Sequence, residues 1–460
     1  MLDLYVAQDV IACALSTGGD FAEIFLEDRI NNSLTMRSGS IETVSSGRLH
    51  GAGVRVYQGT RGVYVYTNDT TREGLLACAK KAAGALKGAT LTAPLPLAIS
   101  THTNIHPIVL RPSEADARRK IEKMRAAQSV MADYPEVVQT RIGYNDSEQN
   151  VWIANSEGLY TTDTRTYTRM GIVATASNGT ENQSGSSAPG AMMGFELFDQ
   201  YIDPKAHAKI AAEMAVTMLH APLCPAGIMP VVIDNGFGGV IFHEACGHSL
   251  EATSVAQGTS EFCGKLNTRV ASDRVTAIDD GTIPNAWGSE NVDDEGTPTT
   301  RLVLIENGIL KNYMVDRLNG RRMNTAPTGN ARRQSYAFAP TSRMRNTYLA
   351  AGQDDEAEMI ATMGDGLYAK SMGGGSVNPA TGEFNFAVAE GYLVKDGKIV
   401  HPVRGASLIG RGSEILPRID RVGRNMTMAQ GMCGSISGSV PTNVGQPMIR
   451  VSSITVGGGC

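Results

Sequence analysis

Aromatic side chains are scarce in this sequence: Phe, Tyr and Trp make up 6% of its 460 residues, and Trp occurs only twice. Basic charge is not in excess either, because 41 Lys and Arg residues face 46 Asp and Glu residues. Proteins that bind nucleic acid directly usually carry surplus basic charge, so we expect no direct nucleic-acid binding. The hydrophobic fraction of 42% and the charged fraction of 19% are typical of a globular protein with room for two or three domains.

Long uninterrupted hydrophobic runs are also lacking. The most apolar stretch, residues 214–233, contains Pro222, Pro225 and Pro230, which interrupt a helix and argue against a membrane span. The N-terminus has an amphipathic pattern and not that of a secretory signal. The seven cysteines are scattered without a CxxC pair, so no disulfide framework is expected. These features favour a cytoplasmic protein, in which a cysteine is free to bind a metal.

The order of predicted elements indicates an α+β fold, with N-terminal α/β units built on antiparallel sheets and a β-rich C-terminal domain. Residues 1–85 read as an α+β unit with a helix, five short strands and a second helix. Residues 86–111 are rich in Pro, Thr and Ala and predict a linker. Residues 112–222 form a middle α+β unit that begins and ends with a helix. The β-rich domain is expected to occupy residues 223–460.

Two hairpins and one helix are predicted within the β-rich domain. The dipeptides Asn307-Gly308 and Asp396-Gly397 each separate two strand-like runs, and both are typical of tight hairpin turns. An apolar pattern that follows the buried strand "VVIDNG" predicts a helix over residues 237–255. This helix carries the sequence "VIFHEACGHSLEA" at residues 240–252.

The helix contains two histidines, His243 and His248, with Glu244 directly after the first. The common zinc-protease motif places its histidines four residues apart, on one face of an α-helix. At about 100° per residue, a spacing of five puts these side chains roughly 140° apart. A wide turn or π-bulge adds one residue and restores the shared face, and such bulges are frequent at functional sites. Gly247 is where the backbone would deform most easily.

The histidine pair has two interpretations: a metal site, or a buried helix with two hydrogen-bonded histidines. The metal interpretation is chemically coherent, because two imidazoles and one further protein ligand leave one position of a zinc ion open to water. Glu244 would then act as the general base. Glu251 would either support a histidine or bind the metal itself. Spacing alone leaves the third ligand open.

Five further segments accompany the motif along the chain. They are "GAGVRVYQGTRG", "DDEGTPTTRLVLIENGILKNYMVDRLN", "RRQSYAFAPTSRMRNTYLAAG", "GEFNFAVAEGYLVKDGKI" and "MCGSISGSVPTNVGQPMIRVSSITVGG". Together with "FHEACGHSLEA", these segments resemble the TldD/PmbA family of metalloproteases, and in particular its metal-bearing TldD branch. The resemblance extends over most of the chain.

The resemblance implies a zinc site with His243, His248 and Cys433 as ligands and Glu244 as the catalytic residue. Cys433 lies in the "GMCGSISG" context from which the family takes its third ligand. A thiolate is a strong zinc ligand, and Gly434 would allow a tight turn beside it. Without the resemblance, Cys433 would be interpreted as a small buried hydrophobic residue.

The other cysteines are assigned no metal role. Cys246 lies inside the motif, but its side chain is expected to face away from the metal. Cys460 ends a glycine-rich tail, where a metal ligand is not expected. The remaining four are interpreted as structural: Cys13, Cys78, Cys224 and Cys263.

The resemblance also implies an assembly and a class of substrate. TldD-type chains are similar to a paralogue, of the PmbA or TldE type, that lacks the metal motif, and the two form a heterodimer around a central cavity. A homodimer stays open for this chain. Unfolded polypeptides or peptides would enter the cavity and lie extended beside a β-strand. Family roles include maturation of a gyrase-targeting peptide antibiotic and degradation of a small antitoxin, and "modulator of DNA gyrase" is the legacy family name.

Three functional hypotheses follow from these observations. The first is zinc-dependent hydrolysis of peptide bonds. The second is a non-catalytic binding module that a zinc ion stabilises, with a fourth protein ligand such as Glu251. The third is a metal-free protein that binds gyrase.

Two polar segments outside the motif each have more than one interpretation. The three consecutive acids at residues 293–295 are interpreted as a turn between strands, with a metal loop as the alternative. Arg332, Arg333 and Tyr336 would either hold a substrate carboxylate, stabilise the oxyanion of the reaction, or form a solvated basic turn.

Overall fold

The computed structural model describes residues 1–90, 92–378 and 381–459. Its α-helices are α1 (Leu4–Ala14), α2 (Arg72–Gly84), α3 (Ala117–Met131), α4 (Pro204–His220), α5 (Val240–Phe242), α6 (Ala252–Val255), α7 (Arg317–Met323), α8 (Glu356–Ala361) and α9 (Gly412–Ile415). No helix among the described residues is long and apolar enough to cross a membrane.

The strands divide between the two halves of the chain. Those of the N-terminal half are β1 (Phe21–Arg37), β2 (Ser40–Gln58), β3 (Arg61–Thr67), β4 (Ala98–Ile99), β5 (Val137–Asn155), β6 (Leu159–Ser177), β7 (Asn182–Ser187) and β8 (Gly190–Ala191). Those of the C-terminal half are β9 (Gly227–Ile233), β10 (Ala277–Asp280), β11 (Arg301–Glu306), β12 (Ile309–Leu310), β13 (Ala331–Arg332), β14 (Thr341–Ser342), β15 (Asn346–Leu349), β16 (Gly366–Asn378), β17 (Glu383–Lys395), β18 (Lys398–Val403), β19 (Ser407–Arg411), β20 (Ile419–Val422), β21 (Thr427–Ser435), β22 (Gly438–Gln446) and β23 (Ile449–Gly457).

The N-terminal strands form one sheet, in the order β3-β2-β1-β5-β6-β4, with β7 and β8 also paired to β6. β1 is antiparallel both to β2 and to β5. Helices α1 and α2 bury their apolar faces against one region of the sheet, and α3 and α4 bury theirs against another. Residues 1–85 and 112–222 therefore contribute strands to a single continuous sheet, and each range adds its own pair of helices.

The N-terminal sheet has fewer and longer strands than the sequence predicts. Five short runs are expected between residues 21 and 67, but the structure has three strands, β1, β2 and β3. Asn31, Asn32 and residues 45–47 have the composition of turns, yet they lie inside β1 and β2. They stay extended because β1 pairs with β2 on one side and with β5 on the other throughout this region, and these backbone partners override local propensity.

The C-terminal half contains two larger sheets. One has the order β12-β11-β10-β15-β22-β21, which leaves β21 at its edge. In the other, β16, β9, β23, β19 and β17 pair in succession, and β16 also pairs with β17, so these strands close into a ring. Side chains from both sheets form the largest hydrophobic core. Both predicted hairpins are confirmed, and their turn residues Asn307, Gly308, Asp396 and Gly397 all have positive φ.

Buried ion pairs connect the N-terminal sheet to the C-terminal half. Arg165 of β6 lies 2.7 Å from Asp294 and 3.2 Å from Glu290, and Arg55 of β2 lies 2.8 Å from Glu295. Burial raises the pKa of Glu295 although Arg55 opposes this effect. For Glu290, burial is outweighed by its arginine neighbours, which lower the pKa. The predicted turn at residues 293–295 is therefore buried. Arg165 and Arg55 supply the positive charge beside Asp294 and Glu295 that the alternative interpretation assigned to a metal ion.

Candidate metal centre

The segment that carries both histidines is an interrupted helix. His243–Gly247 form one π turn, in which the backbone N–H of His248 donates to the carbonyl of His243. The predicted wide turn is confirmed, and it brings two side chains that are five residues apart to the same side. The predicted helix over residues 237–255 is not continuous after the π turn, because Glu251 has an extended backbone conformation that separates a 3₁₀ turn from α6.

Two glycines let this segment pack tightly against its neighbours. A Cβ at Gly239 would lie 2.5 Å from the carbonyl oxygen of Gly445, which belongs to β22. A Cβ at Gly247 would collide with the side chain of Met344. The backbone angles of Gly247 are those of an ordinary helix. This glycine therefore provides space for packing, and the π turn does not depend on an unusual conformation there.

Cys433 reaches the histidines from the edge strand β21, where it lies opposite Val440 of β22. Its Sγ is 3.3 Å from Nε2 of His243 and 3.3 Å from Nε2 of His248. Among the described residues, these three side chains form the one group that could hold a metal ion, with ligand atoms within 4.8 Å of one another. His243, His248 and Cys433 are termed the metal centre below. Gly434 lies inside β21, so the tight turn expected beside Cys433 comes later, after the strand ends.

The metal centre has the spacing and the chemistry that zinc requires. Zinc bonds of about 2.3 Å to sulfur and 2.0–2.1 Å to nitrogen, at a tetrahedral angle, place sulfur and nitrogen about 3.5 Å apart. The observed separations of 3.3 Å are close to this value. Two imidazoles and a thiolate suit zinc, whereas calcium and magnesium prefer oxygen ligands.

The charges of the metal centre also favour a cation. Burial would raise the pKa of the Cys433 thiol, but the imidazoles of His243 and His248 outweigh burial and hold this pKa well below its usual range. Burial would lower the pKa of His248, but Glu251 and the Cys433 sulfur raise it well above its usual value. The thiolate form of Cys433, which is the form that binds a metal, is therefore favoured.

Glu244 lies on the open side of the metal centre. Its Oε2 is 3.6 Å from Nε2 of His248, the nitrogen that points toward Cys433. The Glu244 side chain is 24% exposed, compared with 12% for His248, and His243 and Cys433 are buried. A carboxylate in this position can exchange a proton with a water molecule beside the metal centre.

Glu251 and Arg343 hold the metal centre from its buried side. Glu251 Oε2 lies 3.2 Å from Nδ1 of His248, and its Oε1 accepts a hydrogen bond from the backbone N–H of Met344. The buried Arg343 guanidinium donates to the carbonyl of Cys433, and its Nε lies 3.8 Å from Glu251. Glu251 thus contacts the outer nitrogen of His248. Arg343, which no sequence pattern indicated, links the histidine segment to the cysteine strand.

Replacing Glu251 with Gln is expected to weaken zinc binding by roughly 10- to 100-fold, because partners of this kind fix the orientation and basicity of a ligating histidine. Competition with a chromogenic chelator measures the affinity. Glu383→Gln, which removes an exposed carboxylate paired with Arg411, is the matched control and should leave the affinity unchanged. Equal affinities for Glu251→Gln and wild type would show that Glu251 does not orient His248.

Arg332, Arg333 and Tyr336 do not form a solvated basic turn, so that interpretation is wrong. Both arginines are buried: Arg332 donates to a backbone carbonyl of β22 at 2.6 Å, and Arg333 lies 3.1 Å from Glu23. The two arginines line a cavity of about 190 Å³ that Met432 of β21 also lines. The Tyr336 amide donates to a carboxylate of β1. A role for these residues in binding substrate stays a prediction.

The cysteines outside the metal centre show no disulfide bonds among the described residues. Cys246 lies in the hydrophobic core, where burial raises the pKa of its thiol well above the usual value. It is not part of the group that could hold a metal. Cys460 lies outside the described residues.

Sequence models of one family match nearly the whole chain. PmbA/TldA metallopeptidase domain 1 matches residues 22–86, the central domain matches 110–219, and the C-terminal domain matches 226–458. The chain belongs to the PmbA/TldD family. The predicted family resemblance is confirmed.

Curated relatives in the PmbA/TldD family are named as metalloproteases. The chain is 35% identical to the metalloprotease TldD homolog of Haemophilus influenzae, over 95% of this chain and 93% of that protein. It is 30% identical to the zinc metalloprotease TldD homolog of Saccharolobus solfataricus, over 73% and 74% of the two chains. The family to which this chain belongs is therefore one of metalloproteases.

Solved structures share the PmbA/TldD fold at low sequence identity. A Thermotoga maritima protein, described as a candidate modulator of DNA gyrase, has a TM-score of 0.78 at 21% identity, over 95% of this chain and 96% of that one. TldE of Thermococcus kodakarensis has a TM-score of 0.77 at 16% identity, over 98% and 99%. These likenesses concern the fold, and the predicted α+β class is confirmed.

Proposed function

We propose that this chain hydrolyses peptide bonds with a zinc ion bound by His243, His248 and Cys433. The observation that carries the proposal is the convergence of two imidazole nitrogens, each 3.3 Å from one thiol sulfur, beside a partly exposed carboxylate. Membership of a metalloprotease family supports the same conclusion. A zinc ion held by three protein ligands would supply Lewis acidity, which polarises a carbonyl and lowers the pKa of water.

Glu244 is the general base in this proposal. It is the most exposed of the four side chains, so its carboxylate can reach a water molecule and the substrate. The carboxylate takes a proton from the attacking water and then donates it to the leaving amine. Glu251 and Arg343 keep the ligands in place from the buried side and take no part in proton transfer.

The metal centre has three protein ligand residues, which supports catalysis over a purely structural role. Structural zinc sites usually have four protein ligands. Glu251, the candidate for a fourth ligand, is instead placed against Nδ1 of His248, the backbone N–H of Met344 and the guanidinium of Arg343. The alternative of a zinc-stabilised binding module with Glu251 as fourth ligand would require a Glu251 oxygen to exchange its present partner for the metal.

An extended peptide is the substrate class that fits this site best. β21 is the edge strand that carries Cys433, and among the described residues it pairs only with β22. Its residue Met432 is 52% exposed. A peptide extended along the edge of β21 would pass beside Cys433 with little dependence on sequence, while the carbonyls of Gly431 and Cys433 already accept from Trp287 and Arg343. Unfolded polypeptides and peptides can adopt this form, whereas folded proteins cannot.

The fold and the cysteines also bear on the assembly and on the compartment of the protein. The fold is shared with TldE of Thermococcus kodakarensis, which supports a paralogous subunit as a partner, with a second copy of this chain as the alternative. A dimer would enclose the metal centre in a cavity. Free cysteines support a reducing compartment such as the cytoplasm.

A library of unstructured peptides tests the proposed function. The zinc-loaded protein is incubated with the library, and mass spectrometry identifies new peptide termini. We expect cleavage at many sites, suppression by a hydroxamate that binds zinc, and no cleavage of a tightly folded control protein. Binding of peptides without any new termini would favour the non-catalytic binding module.

A further inference from the structure

The cavity of about 190 Å³ beside β21 lies between the N-terminal sheet and the C-terminal half. One wall is a single face of three neighbouring strands, β1, β5 and β6. Two rows of paired residues form this wall: Arg29, Gln149 and Arg165, and next to them Asn31, Ser147 and Tyr167. The cavity is termed the arginine cavity, after the four arginines that line it: Arg29, Arg165, Arg332 and Arg333.

The arginine cavity adjoins the strand that carries the third side chain of the metal centre. Met432 directly precedes Cys433 in β21, and Val440 lies opposite Cys433 in β22. Met432 and Val440 both line the cavity. A peptide extended along the edge of β21 would therefore pass the metal centre and the arginine cavity within a few of its own residues.

Arg332 is the arginine of this cavity whose charge is least compensated. Its closest carboxylate contact among the described residues is 3.6 Å, to Glu290. The same carboxylate lies closer to Arg345, at 2.8 Å, and to Arg165, at 3.2 Å. Burial lowers the pKa of Arg332. Burial acts in the same direction on Arg165, but its carboxylate neighbours outweigh burial and raise the pKa.

Three side chains that line the arginine cavity each have a buried polar atom without a hydrogen-bond partner among the described residues. These atoms are Nε of Arg332, Nε of Arg333 and the hydroxyl oxygen of Tyr167. The exposed fractions of the three residues are 1%, 5% and 8%. Burial raises the pKa of Tyr167, so its hydroxyl stays protonated and can donate. Buried donors without an acceptor are costly, and an anion in the cavity would supply the acceptor.

A polar groove of about 410 Å³ continues from the arginine cavity along the N-terminal sheet. The groove and the cavity share four lining residues, namely Asn31, Ser147, Tyr167 and Trp287. Most of the other residues of the groove carry an amide or a hydroxyl group, and its one carboxylate, Asp146, is paired with Lys120 at 2.6 Å. Amides and hydroxyls can bind a peptide backbone without regard to its sequence. A peptide held at the cavity therefore has room to extend.

We propose that the arginine cavity binds a carboxylate of the peptide substrate, with Arg332 and the Tyr167 hydroxyl as donors. The inference rests on the proposed function and names its substrate class: peptides that carry a carboxylate near the cleaved bond. A carboxylate accepts hydrogen bonds through two oxygens, and an arginine–carboxylate pair is among the strongest in proteins. An acidic side chain and the C-terminus of a peptide present the same group. The cavity residues bind and orient the peptide and take no part in proton transfer.

Calorimetric titration of peptides tests the proposal without cleavage. The probes are a neutral octapeptide with an amidated end, its versions with one Asp at each position in turn, and its version with a free C-terminus. Each is titrated into zinc-loaded Glu244→Gln protein. We expect at least one peptide with a carboxylate to bind about tenfold more tightly than the neutral one. Tighter binding of an Asp peptide identifies an acidic side chain as the ligand, and tighter binding of the free end identifies the C-terminus.

Two substitutions of Ser147 determine whether the carboxylate binds in the arginine cavity. Ser147 lies opposite Tyr167 in the sheet and is partly exposed. Ser147→Asp places a competing charge in the cavity and should reduce the tenfold preference to less than about threefold, because like charges repel at close range. Ser147→Asn, the matched control, has nearly the same shape without the charge and should keep the preference.

Tyr167→Phe removes only the unpartnered hydroxyl and keeps the ring that packs against Trp287 at 5.3 Å. It should reduce the preference about three- to tenfold and leave thermal stability unchanged.

Equal affinity for all peptides, or no binding of any, would overturn the proposal. So would an equal preference in Ser147→Asp and Ser147→Asn, because the carboxylate would then bind elsewhere. Failure of the proposed peptidase would appear separately, as an absence of new termini with the wild-type protein.

Discussion

Glu244→Gln is expected to lower kcat/KM for peptide cleavage by roughly 10²- to 10⁴-fold, the usual contribution of a general acid–base group. Gln has nearly the same shape as Glu but cannot accept the proton from the attacking water. Glu244 has a partly exposed side chain whose ion pair with His248 is long, at 3.6 Å. Zinc content and thermal stability should therefore stay close to those of wild type.

The measurement compares initial rates of peptide cleavage at saturating zinc. Glu414→Gln is the matched control, because it removes an exposed carboxylate in a short helix, paired with Arg418 at 3.7 Å. This control should retain full activity. Turnover by Glu244→Gln within a few-fold of wild type would show that another group accepts the proton.

Removal of the metal is expected to abolish cleavage and to leave the fold intact. The large hydrophobic core of the C-terminal half includes Cys433 but consists mainly of aliphatic and aromatic side chains that bind no metal. Circular dichroism should therefore show unchanged secondary structure after dialysis against a chelator. The thermal midpoint should fall, because a ligand present at about 1,000 times its Kd contributes about 4 kcal/mol to the free energy of unfolding.

Restoration of activity distinguishes a catalytic metal from an incidental one. Zinc should restore cleavage, and cobalt should restore part of it, because both accept imidazole and thiolate ligands. Magnesium should restore none, since it prefers oxygen ligands. Full activity after complete removal of zinc would contradict the proposed mechanism. Loss of secondary structure on metal removal would instead favour a structural zinc.

The spacing of the histidines predicts the local structure of the site. Two ligands five residues apart cannot share a face of a regular helix, so a π turn between them is required, and the structure has this turn. The interruption after the π turn was not predictable. Glu251 has extended backbone angles there, and its carboxylate is held by His248 and by Arg343, which lies 92 residues further along the chain.

The third side chain of the metal centre could not be predicted from spacing. Cys433 lies 190 residues from His243, and no local pattern connects β21 to the histidine segment. Its place depends on the sheet order β15-β22-β21 and on the close approach of Gly239 to β22. The family resemblance supplied this residue.

The burial of charged side chains is the other feature that could not be predicted from the sequence. Arg332 and Arg333 are adjacent basic residues with the composition of an exposed turn. Their acceptors, a carbonyl of β22 and Glu23 of β1, come from distant parts of the chain. The same holds for Asp294 and Glu295, whose arginine partners lie in the N-terminal sheet. Local composition predicts polarity, but long-range pairing decides whether a polar side chain is buried.

Zinc content by elemental mass spectrometry tests the central claim most directly, with wild type and Cys433→Ala purified and reconstituted alike. The account predicts about one zinc ion per wild-type chain and much less in the variant, because the variant lacks the thiolate that the two imidazoles stabilise. Equal zinc in the two proteins would contradict the claim that Cys433 is a ligand. No zinc in either protein after reconstitution would contradict the zinc peptidase itself.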